Sequence, residues 1–142
     1  MPTMSAPQSV IERMCDAINA HDLDTLAGCF APDYASEFPA HPDRAFSGIA
    51  PMRSNWTQIF AGVPDIAATL LRCTAHGETV WAEWEWRGTR VNSVPFAMRG
   101  VTIQGVQNGR IVWARLYMEP VHAGGGGNDA AIRTDVVGSS PT

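Results

Sequence analysis

The chain has 142 residues, 45% of them hydrophobic and 17% charged, which fits one globular core and excludes both a disordered composition and a second domain. Ten basic against fourteen acidic residues give a net charge of −4 with no basic stripe, so no nucleic-acid partner is expected. No apolar run approaches the roughly 18 residues that span a bilayer, and Met1 to Pro7 has no leader-like pattern, so a soluble cytoplasmic protein without a membrane partner is expected.

Residues 1–8 read as a flexible N-terminus. Ser9-Val10-Ile11-Glu12 has the form of a capping box, in which hydroxyl and carboxylate satisfy helix-end N–H groups. Ile11, Met14, Cys15 and Ile18 then recur on one face of a first helix. Asp22 is placed to cap a second helix, whose apolar face is Leu23, Leu26, Ala27 and Phe30 and which Pro32 ends. Tyr34 to Phe38 reads as a short strand, followed by a Pro-rich loop through Ser47. A third helix is predicted over Ile49 to Ala61, with Pro51 in its first turn and Gly62 and Pro64 closing it. Its buried stripe is Ile49, Met52, Trp56, Ile59 and Phe60.

Beyond the third helix the period becomes alternating, and four strands are predicted near 65–75, 79–90, 96–107 and 110–119. Asn108-Gly109 is a strong two-residue hairpin signal, because both positions need positive φ. His76-Gly77 is a weaker one, and Asn92 to Pro95 forms a less regular, mobile rim. Residues 122–142, opened by four consecutive glycines, read as a disordered tail. Helices first and a strand meander afterwards predict an α+β fold, with three N-terminal helices on a strongly curved antiparallel sheet.

Alternation assigns the faces of that sheet. A two-residue turn at Asn108-Gly109 pairs Ile103 with Ala114 and Val101 with Leu116, and adds Val112 and Met118 to the same apolar face. Thr102, Gln104, Arg115, Tyr117 and Glu119 fall on the reverse. In the other hairpin Val80, Ala82, Trp84 and Trp86 point inward beside Leu71 and Cys73, while Arg72, Glu83, Glu85 and Arg87 point out. Gly100 leaves two settings open. Without a bulge there, Arg99 lies opposite Met118 and enters the concave side; with one, Met98 takes that place. Ile66, Leu70, Trp81, Ile111 and Trp113 alternate onto the outer face, where they form an apolar patch expected to be covered by a homodimer.

The order of elements, with Asn19-Ala20-His21-Asp22-Leu23, Phe30-Ala31-Pro32-Asp33 and Gly48 opening the third helix, resembles the nuclear transport factor 2-like superfamily. Trp84-Glu85-Trp86-Arg87-Gly88-Thr89, Asn108-Gly109-Arg110-Ile111 and Tyr117-Met118-Glu119 complete the resemblance over residues 9–121. It is closest to the SnoaL-like branch, which includes polyketide cyclases. The resemblance implies a cone-shaped α+β barrel enclosing a pocket, often a homodimer, and no single chemistry. Limonene epoxide hydrolase belongs to the same superfamily, but its carboxylates, arginine, tyrosine and asparagine align here with Trp84, Trp86, Leu116, Ser36 and Phe38. None of the five replaces an acid, a base or the arginine, so that reaction is not expected.

Candidate site residues follow. Trp84 and Trp86, with Trp56 and Phe60 from the third helix, either line an aromatic ligand pocket or simply pack a core. Ser36, Phe38, Met98, Leu116 and Met118 are placed to share that pocket, with Ser36 and Thr69 as inward hydroxyls. His41, between Pro39 and Pro42 near the expected mouth, is a candidate general acid or base, or an exposed loop histidine. Glu119 stands where relatives commonly carry a strand-end acid, although alternation turns it away from Leu116 and Met118. Arg99, if inward, would need an anionic ligand or acidic partner; otherwise it joins a surface ladder with Glu83, Glu85, Arg115 and Glu119. His21, His76 and His122 are explained by local structure or solvation. Cys15, Cys29 and Cys73 lack metal-ligand spacing and read as free thiols. No metal or cofactor is expected.

Two functions fit these residues. One is a SnoaL-like enzyme performing cyclase- or isomerase-type proton chemistry on a hydrophobic polycyclic or terpenoid molecule, with His41 or Glu119 as base. The other is a non-catalytic protein of the same fold that binds a hydrophobic molecule or only dimerises.

Overall fold

The structure, a computed structural model, describes residues 6–138; what the sequence implies for the chain ends beyond them lies outside the described residues. In chain order the elements are α1 (Ala6–Ala20), α2 (Leu23–Gly28), β1 (Phe30–Glu37), a 3-10 turn (Pro42–Arg44), β2 (Phe46–Ser47) and α3 (Ile49–Gly62). Then come β3 (Ala67–His76), β4 (Thr79–Thr89), β5 (Pro95–Gln107), β6 (Arg110–Pro120) and a short α4 (Asn128–Ile132) that buries none of its residues. The six strands form one sheet in the order β2-β1-β6-β5-β4-β3. It is mixed rather than all antiparallel, because β1 runs parallel to β6. The sheet does not close on itself, so the expected barrel is an open one with β2 and β3 as its edges.

α1 begins at least three residues before Ser9, so Ser9 and Glu12 lie inside the helix rather than at its cap. Pro7 explains the earlier start, since proline is at home in a first helical turn. The helix buries Val10, Ile11, Met14, Cys15, Ala17 and Ile18. Asn19 fixes it to the sheet by a strand-like exchange, accepting from Ala68 N at 2.7 Å and donating to Ala68 O at 2.9 Å. Asp22 caps α2 as expected, accepting from Thr25 N at 3.1 Å and from the Thr25 hydroxyl at 2.6 Å. α2 stops at Gly28, so Phe30 belongs to β1 and not to a helix face. Pro32 sits inside that strand, at the point where the β1–β6 register breaks and no ladder donor is needed.

α3 and the four long strands fall within two residues of the expected bounds. The Asn108-Gly109 turn has positive φ at both positions, as its type requires. Two bulges alter the expected faces. On β6 the register passes from Val106↔Ile111 to Gly105↔Trp113, leaving Val112 as an extra residue. Thr102 therefore pairs with Leu116, and Gln104 with Ala114. These two polar residues enter the buried face, and Val101 and Ile103 leave it. Ile111 is fully buried instead of outward. On β3 the extra residue is Leu71, so Leu70 turns inward opposite Trp84 and Leu71 is exposed.

These bulges change the outer patch. Ile66 and Ile111 are core, and Leu70 packs against it. The apolar side chains left outside are Trp81, Val101, Ile103, Trp113 and Tyr117, with Trp81 half exposed. α1 and α3 cover the other face, where Trp84, Val80, Ala82 and Met118 join Ile11, Ile18 and Met52 in the core. The three cysteines are free, and burial raises the pKa of each thiol, which keeps it protonated and unreactive.

Candidate functional site

A cavity of about 200 Å³ opens between the concave face of the sheet and α3. Of the expected pocket residues, Ser36, Phe38, Trp56, Trp86, Met98, Leu116 and Met118 line it. Phe60 and Trp84 do not. Phe60 stacks on His21 and meets Trp56 at a tilt, and Trp84 lies fully buried behind Thr102. Thr69 is exposed on the outer face opposite Glu85 and supplies no hydroxyl to the pocket.

Sequence reading missed Met14, Met52, Tyr34 and Phe46, which complete the apolar wall, and the polar pair Thr102 and Gln104 on its floor. The floor is a directed chain. Trp84 Nε1 donates to Thr102 Oγ1 at 2.9 Å, and that hydroxyl donates to Gln104 Oε1 at 2.8 Å. Gln104 Nε2 reaches Met14 Sδ at 3.5 Å. Two buried polar side chains on an apolar face are thereby satisfied by one another and by an indole. Trp86 differs: its indole N–H is buried with no acceptor among the described residues. Trp56 holds the Trp86 ring edge to face, with centroids 5.5 Å apart.

Only two lining residues carry an ionisable group, Tyr34 and Arg44. Burial pushes the Tyr34 phenol up to about 12, with a hydrogen bond to Ser36 opposing it, so the group is a neutral hydroxyl at physiological pH. Arg44 lies at the solvent side, on the 3-10 turn, where its side chain is exposed.

The two candidate bases, named from distant parts of the sequence, meet. His41 Nε2 and Glu119 Oε1 are 2.6 Å apart, each side chain about half buried. Neither lines the cavity, but their neighbours do. His41 lies between Phe38 and Arg44, and Glu119 follows Met118. The pair arises because β1 runs parallel to β6, so the chain leaving β1 continues beside the end of β6. The two form a dyad at the end of β6, flanked in sequence by cavity-lining residues. Arg99 is opposite Glu119 in register, so the two share the outward face, as alternation predicts for Glu119, and Arg99 lies 2.6 Å from Glu85. The Val112 bulge, not one at Gly100, sets this, since it puts Gly100 rather than Arg99 opposite Met118. Arg87 and Arg99 hold the Glu85 carboxyl below the usual range; of the expected ladder Arg99 meets Glu85, while Glu83 pairs with Arg72 and Glu119 with His41. Among the described residues no cluster of His, Cys, Asp or Glu could hold a metal ion. No helix there is long and apolar enough to cross a membrane.

No curated protein matches the chain in sequence. A family model described as the SnoaL-like domain matches residues 11–114. The chain belongs to the SnoaL-like family. Among solved structures, this SnoaL-like chain is similar to wild-type IdmH, a candidate polyketide cyclase from Streptomyces antibioticus. Identity is 26%, the TM-score 0.69, and the match covers 80% of this chain and 91% of that one. An LEH-like epoxide hydrolase of Mycobacterium tuberculosis is 18% identical with a TM-score of 0.70, over 83% of this chain and 86% of its own. RV0760c of Mycobacterium tuberculosis, in complex with estradiol-17β-hemisuccinate, is 15% identical with a TM-score of 0.70, over 80% and 94%. The last two show the fold alone.

Proposed function

We propose that this SnoaL-like protein performs cyclase- or isomerase-type proton chemistry on a hydrophobic polycyclic or terpenoid molecule seated in the concave cavity. The single observation that carries the reading is the 2.6 Å contact between His41 and Glu119, whose chain neighbours line the cavity. A carboxylate accepting the Nε2–H of a neutral imidazole leaves Nδ1 as the basic nitrogen and stabilises the imidazolium once a proton arrives. In such a step His41 takes a proton from a carbon next to a substrate carbonyl, and the electron pair moves onto the carbonyl oxygen as an enolate. Return of the proton at another carbon isomerises the molecule. Attack of the enolate carbon on a second carbonyl of the same molecule closes a ring, and the imidazolium protonates the new alkoxide. Support also comes from the likeness to IdmH and from the steroid ester held by RV0760c in the same fold.

A second reading has its own observation. The lining carries no carboxylate and no histidine, which favours a binding protein without catalysis. Intrinsic tryptophan fluorescence, titrated with steroids, terpenoids and aromatic polyketides, identifies the class that occupies the cavity, since Trp56 and Trp86 line it. With that class, His41→Ala and Glu119→Gln are expected to lose roughly 100-fold or more in kcat while still binding. Full turnover in both variants eliminates the dyad as base. Saturable binding with no turnover by the unaltered protein establishes the second reading.

A further inference from the structure

The cavity has one charged lining residue, and that residue says something about an occupant. Arg44 lines the cavity, and its side chain makes no ion pair or hydrogen bond among the described residues. Arg53, Arg72, Arg87, Arg99 and Arg133 each hold a carboxylate instead. Glu119 is engaged by His41, and no described carboxylate pairs with Arg44. Trp86, 6% exposed, also lines the cavity, but its indole N–H is buried away from any approaching atom and so specifies nothing about an occupant. A guanidinium prefers a carboxylate, which it meets with two parallel N–H donors. The cavity volume lies below the usual range for ligand pockets, so a polycyclic occupant projects from the mouth toward Arg44.

We propose that the natural occupant is an organic anion: an apolar body seated in the cavity and a carboxylate held by Arg44 at the mouth. Arg44 is then the residue that selects acids over their neutral analogues. The inference rests on occupancy of this cavity and is indifferent to whether the dyad is catalytic.

Anthraquinone-2-carboxylate and 2-(hydroxymethyl)anthraquinone share rings and carbonyls and differ in the anion, so isothermal titration of the full chain with both isolates it. The carboxylate is expected to bind about tenfold more tightly, a modest factor because Arg44 is exposed and screened by salt. Arg44→Gln is expected to lower the carboxylate to the affinity of the alcohol. Arg53→Gln, which removes a charge of the same sign from α3 outside the cavity, is expected to keep the tenfold preference. Equal binding of the two ligands by the unaltered protein, or a preference that survives Arg44→Gln, overturns the proposal while leaving the cavity reading standing. Failure of both ligands to bind at all overturns the two together.

Discussion

Thr102→Val isolates the polar floor of the cavity, because valine keeps the shape of threonine and removes only its hydroxyl. In the native protein that oxygen accepts from Trp84 Nε1 at 2.9 Å and donates to Gln104 Oε1 at 2.8 Å. Trp84, Thr102 and Gln104 are all 1% exposed or less, so water cannot replace the lost partner. The variant leaves an indole N–H and an amide oxygen unmatched, each costing about 1–3 kcal/mol. Gln104 can turn toward the cavity and recover part of its share, which places the expected loss at about 2–4 kcal/mol. Thr102→Ser keeps both hydrogen bonds and deletes one methyl group, for about 1 kcal/mol. The more apolar substitution is therefore the more damaging one. Urea unfolding followed by tryptophan fluorescence reads both; at a slope of about 2 kcal/mol per molar, valine shifts the midpoint down by about 1–2 M. Trp84→Phe is expected to cost less in the Thr102→Val background than alone, since the donor it removes is already unmatched there. A valine variant as stable as the serine variant would refute the reasoning, because the hydroxyl would then be holding nothing.

Stability should also depend on pH at both ends. Asp22 and Asp65 have carboxyls held below their ordinary values, chiefly by hydrogen bonds from Thr25 and Thr89, and Glu85 by its two arginines. Groups depressed in the folded state contribute stability above their unfolded pKa and lose it as pH falls through the folded one. The thermal midpoint is therefore expected to be flat near neutrality and to fall below about pH 4. Tyr34 acts with the opposite sign: its folded pKa of about 12 exceeds the unfolded one, so its stabilisation is lost from about pH 10 upward. A midpoint that is unchanged between pH 7 and pH 3 would contradict the acid arm. We further propose that the outer patch of Trp81, Ile103, Trp113 and Tyr117 pairs with a second copy about a two-fold axis, because no helix among the described residues covers it. Light scattering at micromolar concentration should then give a dimer, and Trp81→Glu a monomer. A monomer from the unaltered chain removes the idea.

What was legible in the sequence was whatever rests on local chemistry. Asp22 is a cap because its carboxylate reaches Thr25 N, and Asn108-Gly109 turns because both residues tolerate positive φ. Nothing local marks Val112 as an extra residue, since a bulge depends on which partner residues are satisfied across the ladder. That single residue exchanged the faces of β5 and hid Thr102 and Gln104 from a reading that sends polar side chains outward. The parallel pairing of β1 with β6 was hidden likewise, because it joins segments about 80 residues apart with no turn to signal it. Without it His41 and Glu119 could be named only separately, and Arg44 not at all.

Four of the six methionines in the chain, Met14, Met52, Met98 and Met118, border the cavity. Thioether side chains are unbranched and polarisable, and they change rotamer at little energetic cost. A wall of this kind adjusts to the outline of a guest instead of demanding one. Selection by contour is then weak, and discrimination among similar guests falls to the few groups that cannot yield: an amide held in one orientation and a guanidinium at the entrance. The same wall is vulnerable to oxidants. Conversion of these thioethers to sulfoxides would bring a polar oxygen into the apolar lining, and occupancy would decline before the fold itself failed.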